Sequence, residues 1–265
     1  MSDSVNQFGY PPDLSSSFIV PDWPAPANVK AFQTTRIGGV SQAPYASLNL
    51  GSHVGDDLIA VAHNRQLLSP YLPSEPVWIS QVHGVKAIDA TTVGCVVEAD
   101  AAYTSKANTV CVIMTADCLP VLLCDEAGTI VAAIHAGWKG LLDGVIESTI
   151  ETMHKTMQNS SPNLASQSLM AWLGPAIGPQ AFEVGSEVRE AFIAIDSNAA
   201  LAFQAVSNNK WLGDIYQLAR QRLNTIGISQ IYGGGLCTYT DDARFFSYRR
   251  DNITGRMASI IWLAS

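Results

Sequence analysis

Residues 111–154 read CVIMTADCLPVLLCDEAGTIVAAIHAGWKGLLDGVIESTIETMH, and the fold turns on this stretch. Runs rich in Val, Ile and Leu near 109–115, 119–124 and 129–135 are bounded by Asp, Pro or Gly, which predicts three short strands. After His135 the period changes. Leu141, Leu142, Val145, Ile146, Ile150 and Met153 recur at helical spacing and predict a helix over 138–158. Working outward, strands are expected near 29–34 and 77–82 before this segment. After it come a strand at 169–173, helices near 185–195 and 210–226, a strand near 228–232 and a last strand at 257–263. Strands and helices interleave in clusters, so the expected class is a mixed α/β or α+β layered domain. Residues 1–27 carry Pro11, Pro12, Pro21, Pro24 and Pro26 and read as an extended arm draped over the surface. The polar stretch Asn159–Ser168 reads as a loop and is the candidate lobe boundary.

Composition narrows the function classes. A chain of 265 residues suits one large domain or two closely packed lobes. Apolar residues make up 48% and charged residues 14%, which excludes an intrinsically disordered chain. The formal net charge of −8 argues against a nucleic-acid partner. The longest apolar runs, 110–124 and 130–146, are interrupted by Asp117, Pro120, His135, Lys139 and Asp143, and neither predicts a membrane span. Residues 1–18 show no basic region followed by an apolar one, so export is not expected. The five cysteines (95, 111, 118, 124 and 237) lack paired spacing, which suits free thiols in a reducing compartment. The expectation is a cytoplasmic protein.

Three segments resist explanation as packing: Gln81-Val-His83-Gly84, Thr115-Ala-Asp117-Cys118-Leu-Pro120 and Ile134-His135-Ala-Gly137-Trp-Lys139-Gly140. Each puts a metal ligand or nucleophile at the end of a predicted strand beside Gly or Pro, where α/β proteins place reacting groups. Two imidazoles and a thiolate with water as fourth ligand make one form of catalytic zinc site, in which the metal brings the water's pKa towards neutrality. Asp117 bears on the same point, because a neighbouring carboxylate disfavours a free thiolate unless a cation is near. The plainer alternative is a pair of hydrogen-bonded histidines and a cysteine acting as a small hydrophobe, which is how Cys95, Cys111 and Cys124 read, whereas Cys237, after Gly233–Gly235, reads as packing with a place near a site as the alternative. A second cluster is basic: Arg244, Arg249, Arg250 and Arg256 fall within 13 residues, and Arg36 stands beside Gly38 and Gly39. Arginine forks and exposed glycine N–H groups suit phosphate or carboxylate, and surface ion pairs with Asp241, Asp242 and Asp251 are the alternative. The turn-rich stretch 49–57 carries His53, read as structural or peripheral.

Taken together, these segments resemble the laccase-domain proteins, also called the multicopper polyphenol oxidoreductase or purine nucleoside phosphorylase family. The markers are TTRIGGVS (34–41), NLGSHVGDD (49–57), QVHG (81–84), ADAAYTS (99–105), TADCLPVLLCD (115–125), AIHAGWKGL (133–141), WLGPAIGPQAFEVG (172–185) and FFSYRRDNITGRMAS (245–259). They run nearly the length of the chain. Asn252 departs from the glycine that often follows the Arg-Arg-Asp run.

The resemblance implies one laccase-like domain over 1–265, with a four-layer α/β/β/α sandwich of mixed sheets similar to that of toxin-type cysteine hydrolases. It implies His83, Cys118 and His135 as ligands of zinc, or of copper. The implied activity is phosphorolysis of adenosine, inosine and methylthioadenosine, with adenosine deamination beside it. The expected partners are therefore a purine nucleoside and phosphate. His83, Cys118, His135 and Asp117 are the expected catalytic groups, and Arg36, Gly38, Gly39, Asn49, Lys139 and Arg250 the expected substrate contacts. Three rivals remain: a thiol hydrolase with Cys118 as nucleophile and His135 as base, a weak copper-dependent polyphenol oxidase, and a nucleotide-sensing binding protein without turnover. Five histidines are too few for a blue copper together with a three-copper cluster, which excludes a true laccase.

Overall fold

The hairpin of β5 (Leu119–Asp125) and β6 (Val131–Ala136) lies inside the molecule, and every residue of both strands is buried, all of them apolar except Asp125 and His135. Asp125 closes the turn by accepting from Thr129 N and Ile130 N. Both faces of the hairpin are covered, which is why its strands read as continuous apolar runs rather than as an alternation. The structure is a computed structural model and describes residues 14–92, 96–160, 168–207 and 209–265.

Around the hairpin a six-stranded mixed sheet forms in the order β11-β7-β5-β6-β3-β2. It adds β2 (Ala87–Asp89), β3 (Ala101–Thr104), β7 (Leu169–Leu173) and β11 (Gln230–Gly233). The β11–β7 and β2–β3 pairs are parallel and the others antiparallel. A three-stranded antiparallel sheet sets β12 (Met257–Leu263) between β1 (Val29–Gln33) and β4 (Cys111–Thr115). A small third sheet joins β8 (Glu183–Gly185), β9 (Phe203–Ala205) and β10 (Lys210–Gly213).

Successive strand residues point to opposite faces, so alternation assigns the layers. Leu119, Val121, Leu123, Ile134 and Leu173 pack with α2 (Trp138–Asp143), α3 (Val145–Ser160), α4 (Ser186–Ile195) and α5 (Ile215–Thr225). The opposite face presents Leu122, Cys124, Ala133, Met170 and Trp172 to Cys111, Ile113, Ile261 and Leu263 of the three-stranded sheet. On that sheet's far side Phe32, Val112, Met114 and Ile260 meet Leu48, Leu50 and Leu68, which flank α1 (Leu58–Gln66). The result is an α+β arrangement of helices, sheet, sheet and helix with loops. Each fully buried Leu or Ile adds about 1.5–3 kcal/mol.

Several elements differ from expectation. The helix over 138–158 is interrupted at Gly144, whose φ of +95° ends α2 in a left-handed cap. The helix expected over 210–226 begins only at Ile215. Asp214 caps it by accepting from Gln217 N, and Lys210–Gly213 is strand β10 instead. Residues 77–82 make only the isolated bridges Val77–Cys111 and Ser80–Glu98. There the Gln81 amide takes over the role of a ladder, pairing with the N–H and carbonyl of Met114. α1, capped by Asp57, and the three- and four-residue strands β2, β3, β8 and β9 were not expected. The described part of the N-terminal arm is packed rather than draped: Leu14 is buried, and Phe18 stacks on Phe32 with ring centroids 4.3 Å apart. Of the polar stretch 159–168, Asn159 and Ser160 extend α3 and 161–167 lie outside the described residues. Strands from both sides of that stretch share the six-stranded sheet. Among the described residues no helix is long and apolar enough to cross a membrane.

Candidate metal centre and its cavity

His83, Cys118 and His135 come together although 35 and 17 residues separate them in sequence. His135 lies on β6, buried at 3% exposure, with Pro120 opposite it in the hairpin. Cys118 stands in the tight connection between β4 and β5. His83 follows the Gln81 clamp. Two of the five non-glycine residues with positive φ among the described residues sit here, His83 at 59° and Asp117 at 90°. Such conformations cost of order 1–3 kcal/mol and persist only where the surroundings hold them.

Asp100, wholly buried just before β3, does the holding. Its carboxylate accepts from His83 N at 2.9 Å, Gly84 N at 2.7 Å and Val82 N at 3.3 Å, and it pairs with His135 Nδ1 at 2.8 Å. One side chain thus fixes the loop that carries the first histidine and the ring of the second. With Nδ1 occupied, His135 presents Nε2 to the centre, the arrangement in which a carboxylate orients a metal-binding imidazole. The two imidazole rings lie 4.7 Å apart at 74°, and Cys118 Sγ is 3.7 Å from His83 Nε2. One donor atom from each of the three residues lies within 4.8 Å of the others. Gly137 is required beside them: a Cβ there would stand 2.9 Å from His83 Cδ2 and 3.0 Å from Cys118 Sγ.

The electrostatics follow from burial and these contacts. Burial alone pushes the Cys118 thiol up, but His135 and His83 outweigh it and bring its pKa down to about 6. For His135 burial pushes down, while Cys118 and Asp100 outweigh it and raise the pKa to about 9. Burial would raise Asp100, yet His135 and the Gly84 N–H hold it below the usual carboxylate value. Without a metal, then, a thiolate faces an imidazolium, and a bound metal cation would take the proton's place. Cys111 and Cys124 behave oppositely: burial raises both, Cys124 to about 12, as suits packed hydrophobes. Cys237 accepts from Gly178 N at 3.2 Å, and Cys95 lies outside the described residues.

Two chambers meet at this centre and share His83, Ala116, Cys118 and Tyr248. The smaller, about 200 Å³, is walled by Trp138, Ile177, Phe182 and Ile215 with Asp117 and Arg249 at its polar edge. The larger, about 430 Å³, reaches His135, Thr115, Gln81, His53 and Arg256. Asp117 accepts from Thr238 Oγ1 and from Arg249 N, both at 2.6 Å, and so ties α6 (Tyr248–Asp251) to the cavity.

The residues expected to contact substrate are not brought together here. The Arg36 guanidinium donates to Ala46 O and Asp242 O, and Gly38 N and Gly39 N donate to Ser47 Oγ. Arg250 donates to the carbonyls of Thr238, Tyr239 and Phe245 and to the Asp251 carboxylate. Lys139 pairs with Asp143 at 2.7 Å. Buried Asn49 bonds to Asp56 and to the backbone of Gly51 and Arg256. None of these six residues lines either chamber. Lys139 is spent on an ion pair within α2, and the others take up hydrogen-bonding groups of loop backbone that would otherwise lack partners. Of the residues that line the chambers, Arg249 and Arg256 were read only as members of the basic cluster and His53 as structural or peripheral, while Tyr248, Trp138, Ile177 and Phe182 were not read as site residues. Asp100 was missed too. Its sequence signal was an acidic residue inside the small apolar run 99–102, where a charge needs a partner.

The family model for the multi-copper polyphenol oxidoreductase laccase matches residues 30–264. A protein of Escherichia coli strain K12 named purine nucleoside phosphorylase YfiH is 55% identical over 94% of this chain and 99% of its own length. Purine nucleoside phosphorylase PA4543 of Pseudomonas aeruginosa is 51% identical over 94% and 99%. The crystal structure of Neisseria meningitidis NMB0706 superposes with a TM-score of 0.85 at 48% identity, covering 94% of this chain and all of that one. YlmD from Geobacillus stearothermophilus gives 0.82 at 29%, over 94% and 97%. The chain belongs to the multi-copper polyphenol oxidoreductase laccase family.

Proposed function

We propose that this protein is a metal-dependent purine nucleoside phosphorylase and that the whole chain acts as one domain. The observation that carries the reading is the convergence of His83, Cys118 and His135 donor atoms within 4.8 Å, with His83 and Cys118 on the wall shared by both chambers and His135 on the larger one. The relatives' names support the same activity. A thiolate with two imidazoles suits zinc, or copper, and Gly137 leaves His83 and Cys118 uncrowded. When bound, such a metal supplies Lewis-acid polarisation of an oxygen ligand. The one group of three donors found among the described residues favours a single ion over a copper cluster.

This chain's own residues do the rest. Trp138, Ile177 and Phe182 offer a flat apolar slot for a purine, and Tyr248 covers the join between the chambers. In phosphorolysis a phosphate oxygen bonds to ribose C1′ as the bond from C1′ to the base breaks. The bond's electron pair leaves with the purine, and the proton carried by phosphate ends on the free base. Asp117 holds Arg249 and α6 against the slot. Adenosine, inosine and methylthioadenosine are the substrates we assign. Deamination of adenosine, in which water replaces the C6 amino group and ammonia leaves, is assigned to the same centre. The described cysteines are free, which supports a reducing, cytoplasmic location.

A second reading, a thiol hydrolase, draws on the order Asp100, His135, Cys118, which matches orienter, base and nucleophile. Incubation with inosine or adenosine, with and without phosphate, separates them. Phosphate-dependent release of hypoxanthine or adenine, absent in His135→Ala, supports the first reading. No free base from a metal-loaded protein contradicts it.

A further inference from the structure

The larger chamber is unusual for a protein of net charge −8, because among the described residues no carboxylate lines it. Its one permanently charged group is Arg256, which is firmly built in. The Arg256 N–H donates to Asn49 Oδ1 at 2.8 Å, and its carbonyl accepts from Leu50 N at 3.1 Å. Its stem crosses Gly51, where a Cβ would stand only 2.8 Å from Arg256 Cγ. Nη1 donates to Thr254 O and Gly255 O, which orients the fork. Nε and Nη2 have no acceptor among the described residues. That distinguishes Arg256 from Arg36, Arg244 and Arg250, whose forks are bound to carbonyls or carboxylates. His53 reaches the same chamber from the 49–57 loop that seats Arg256. Burial, and the nearby Arg256 and Arg65, lower the His53 pKa, so at neutral pH it offers one ring N–H as a donor. Thr115 adds a buried hydroxyl with no partner in the chamber wall.

The geometry points to Arg256, with His53, as the subsite that binds orthophosphate, facing the apolar purine slot across the metal ligands. The assignment rests on the phosphorylase reading for its choice of oxyanion. It explains why the cavity has two unlike halves. The aromatic half takes the leaving base and the cationic half takes the attacking anion, with ribose C1′ between them at the shared wall of His83, Ala116, Cys118 and Tyr248. An arginine fork suits an oxyanion with two N–H donors.

The test compares the full-length metal-loaded protein with Arg256→Met, Arg256→Lys and His53→Ala. Initial rates are measured against phosphate and against inosine, and orthophosphate binding is measured separately by calorimetry. Losing a charge-assisted bond raises the phosphate KM roughly tenfold or more in Arg256→Met. The inosine KM stays near the wild-type value, Arg256→Lys recovers part of the loss, and His53→Ala shifts the phosphate KM in the same direction by less. If Arg256→Met does not fold, the other two variants carry the comparison. An unchanged phosphate KM in the folded variants overturns the assignment. The calorimetry separates the two readings: binding that Arg256→Met loses, in a protein that cleaves no nucleoside, keeps the subsite and removes the phosphorylase. Absence of phosphate binding by the wild type removes the subsite.

Discussion

Asp100 is where a single side chain carries the most. Its hydrogen bonds reach the loop that carries His83 and the ring of His135, so both imidazoles depend on one carboxylate. Asp100→Asn keeps the shape but disturbs the acceptor pattern, and metal affinity in chelator competition is expected to fall roughly 10–100-fold. Folding lowers the Asp100 pKa below its ordinary 3.8, so its stabilising effect is present above that pH and fades as pH falls through the lower folded value. Acid unfolding of the variant should be correspondingly less steep. In metal-stripped protein, Cys118 with its pKa near 6 should react readily with iodoacetamide at pH 7 and lose rate as pH drops through 6. Cys111 and Cys124 should stay unmodified in the folded state, and mass spectrometry of tryptic peptides checks the pattern. The three residues that converge were legible in the sequence because His and Cys beside Gly and Pro at strand ends are chemically conspicuous. Arg256 was not separable from Arg250 by sequence, since only the fold reveals which fork its loop carbonyls consume.

Among the elements, α2 is the hinge between fold and site. Its N-cap, Gly137, faces the ligands, and Gly140 brings the helix against the Gly84 carbonyl, where a Cβ would stand 2.9 Å away. Gly137→Ala is therefore expected to abolish stoichiometric metal binding, with a far-ultraviolet circular dichroism spectrum like that of the wild type. The other end of α2 makes the opposite prediction. At Gly144, with φ of +95°, an alanine costs about 1–2 kcal/mol in denaturant unfolding and leaves metal content intact. The same glycine explains why a single helix over 138–158 was expected: apolar spacing runs on across it, and periodicity does not register a left-handed residue. Lys210–Gly213 was read as the start of a helix for a related reason, since four residues are too few to show a strand's period. The long buried strands β4 to β7 were plain because apolar runs between turn residues have few other uses.

Over the whole molecule, the two stacked sheets act as the frame and the site sits at the strand ends and loops. A core truncation far from the ligands tests that separation. Leu122→Ala, at the interface between the sheets, should lower unfolding free energy by about 2–5 kcal/mol while metal per folded chain is unchanged. The layered class was legible from the interleaving of strands and helices. The closure of the cavity was not, because it joins loops near residues 53, 83, 117, 138, 182 and 249 whose meeting no local pattern encodes. The central claim is that His83, Cys118 and His135 hold one ion. Elemental analysis of purified wild type beside Cys118→Ala tests it most directly: one equivalent of zinc or copper per chain is expected, and it should be lost in the variant. Metal retained at one equivalent in folded Cys118→Ala, or a fully active wild type free of metal, would contradict it.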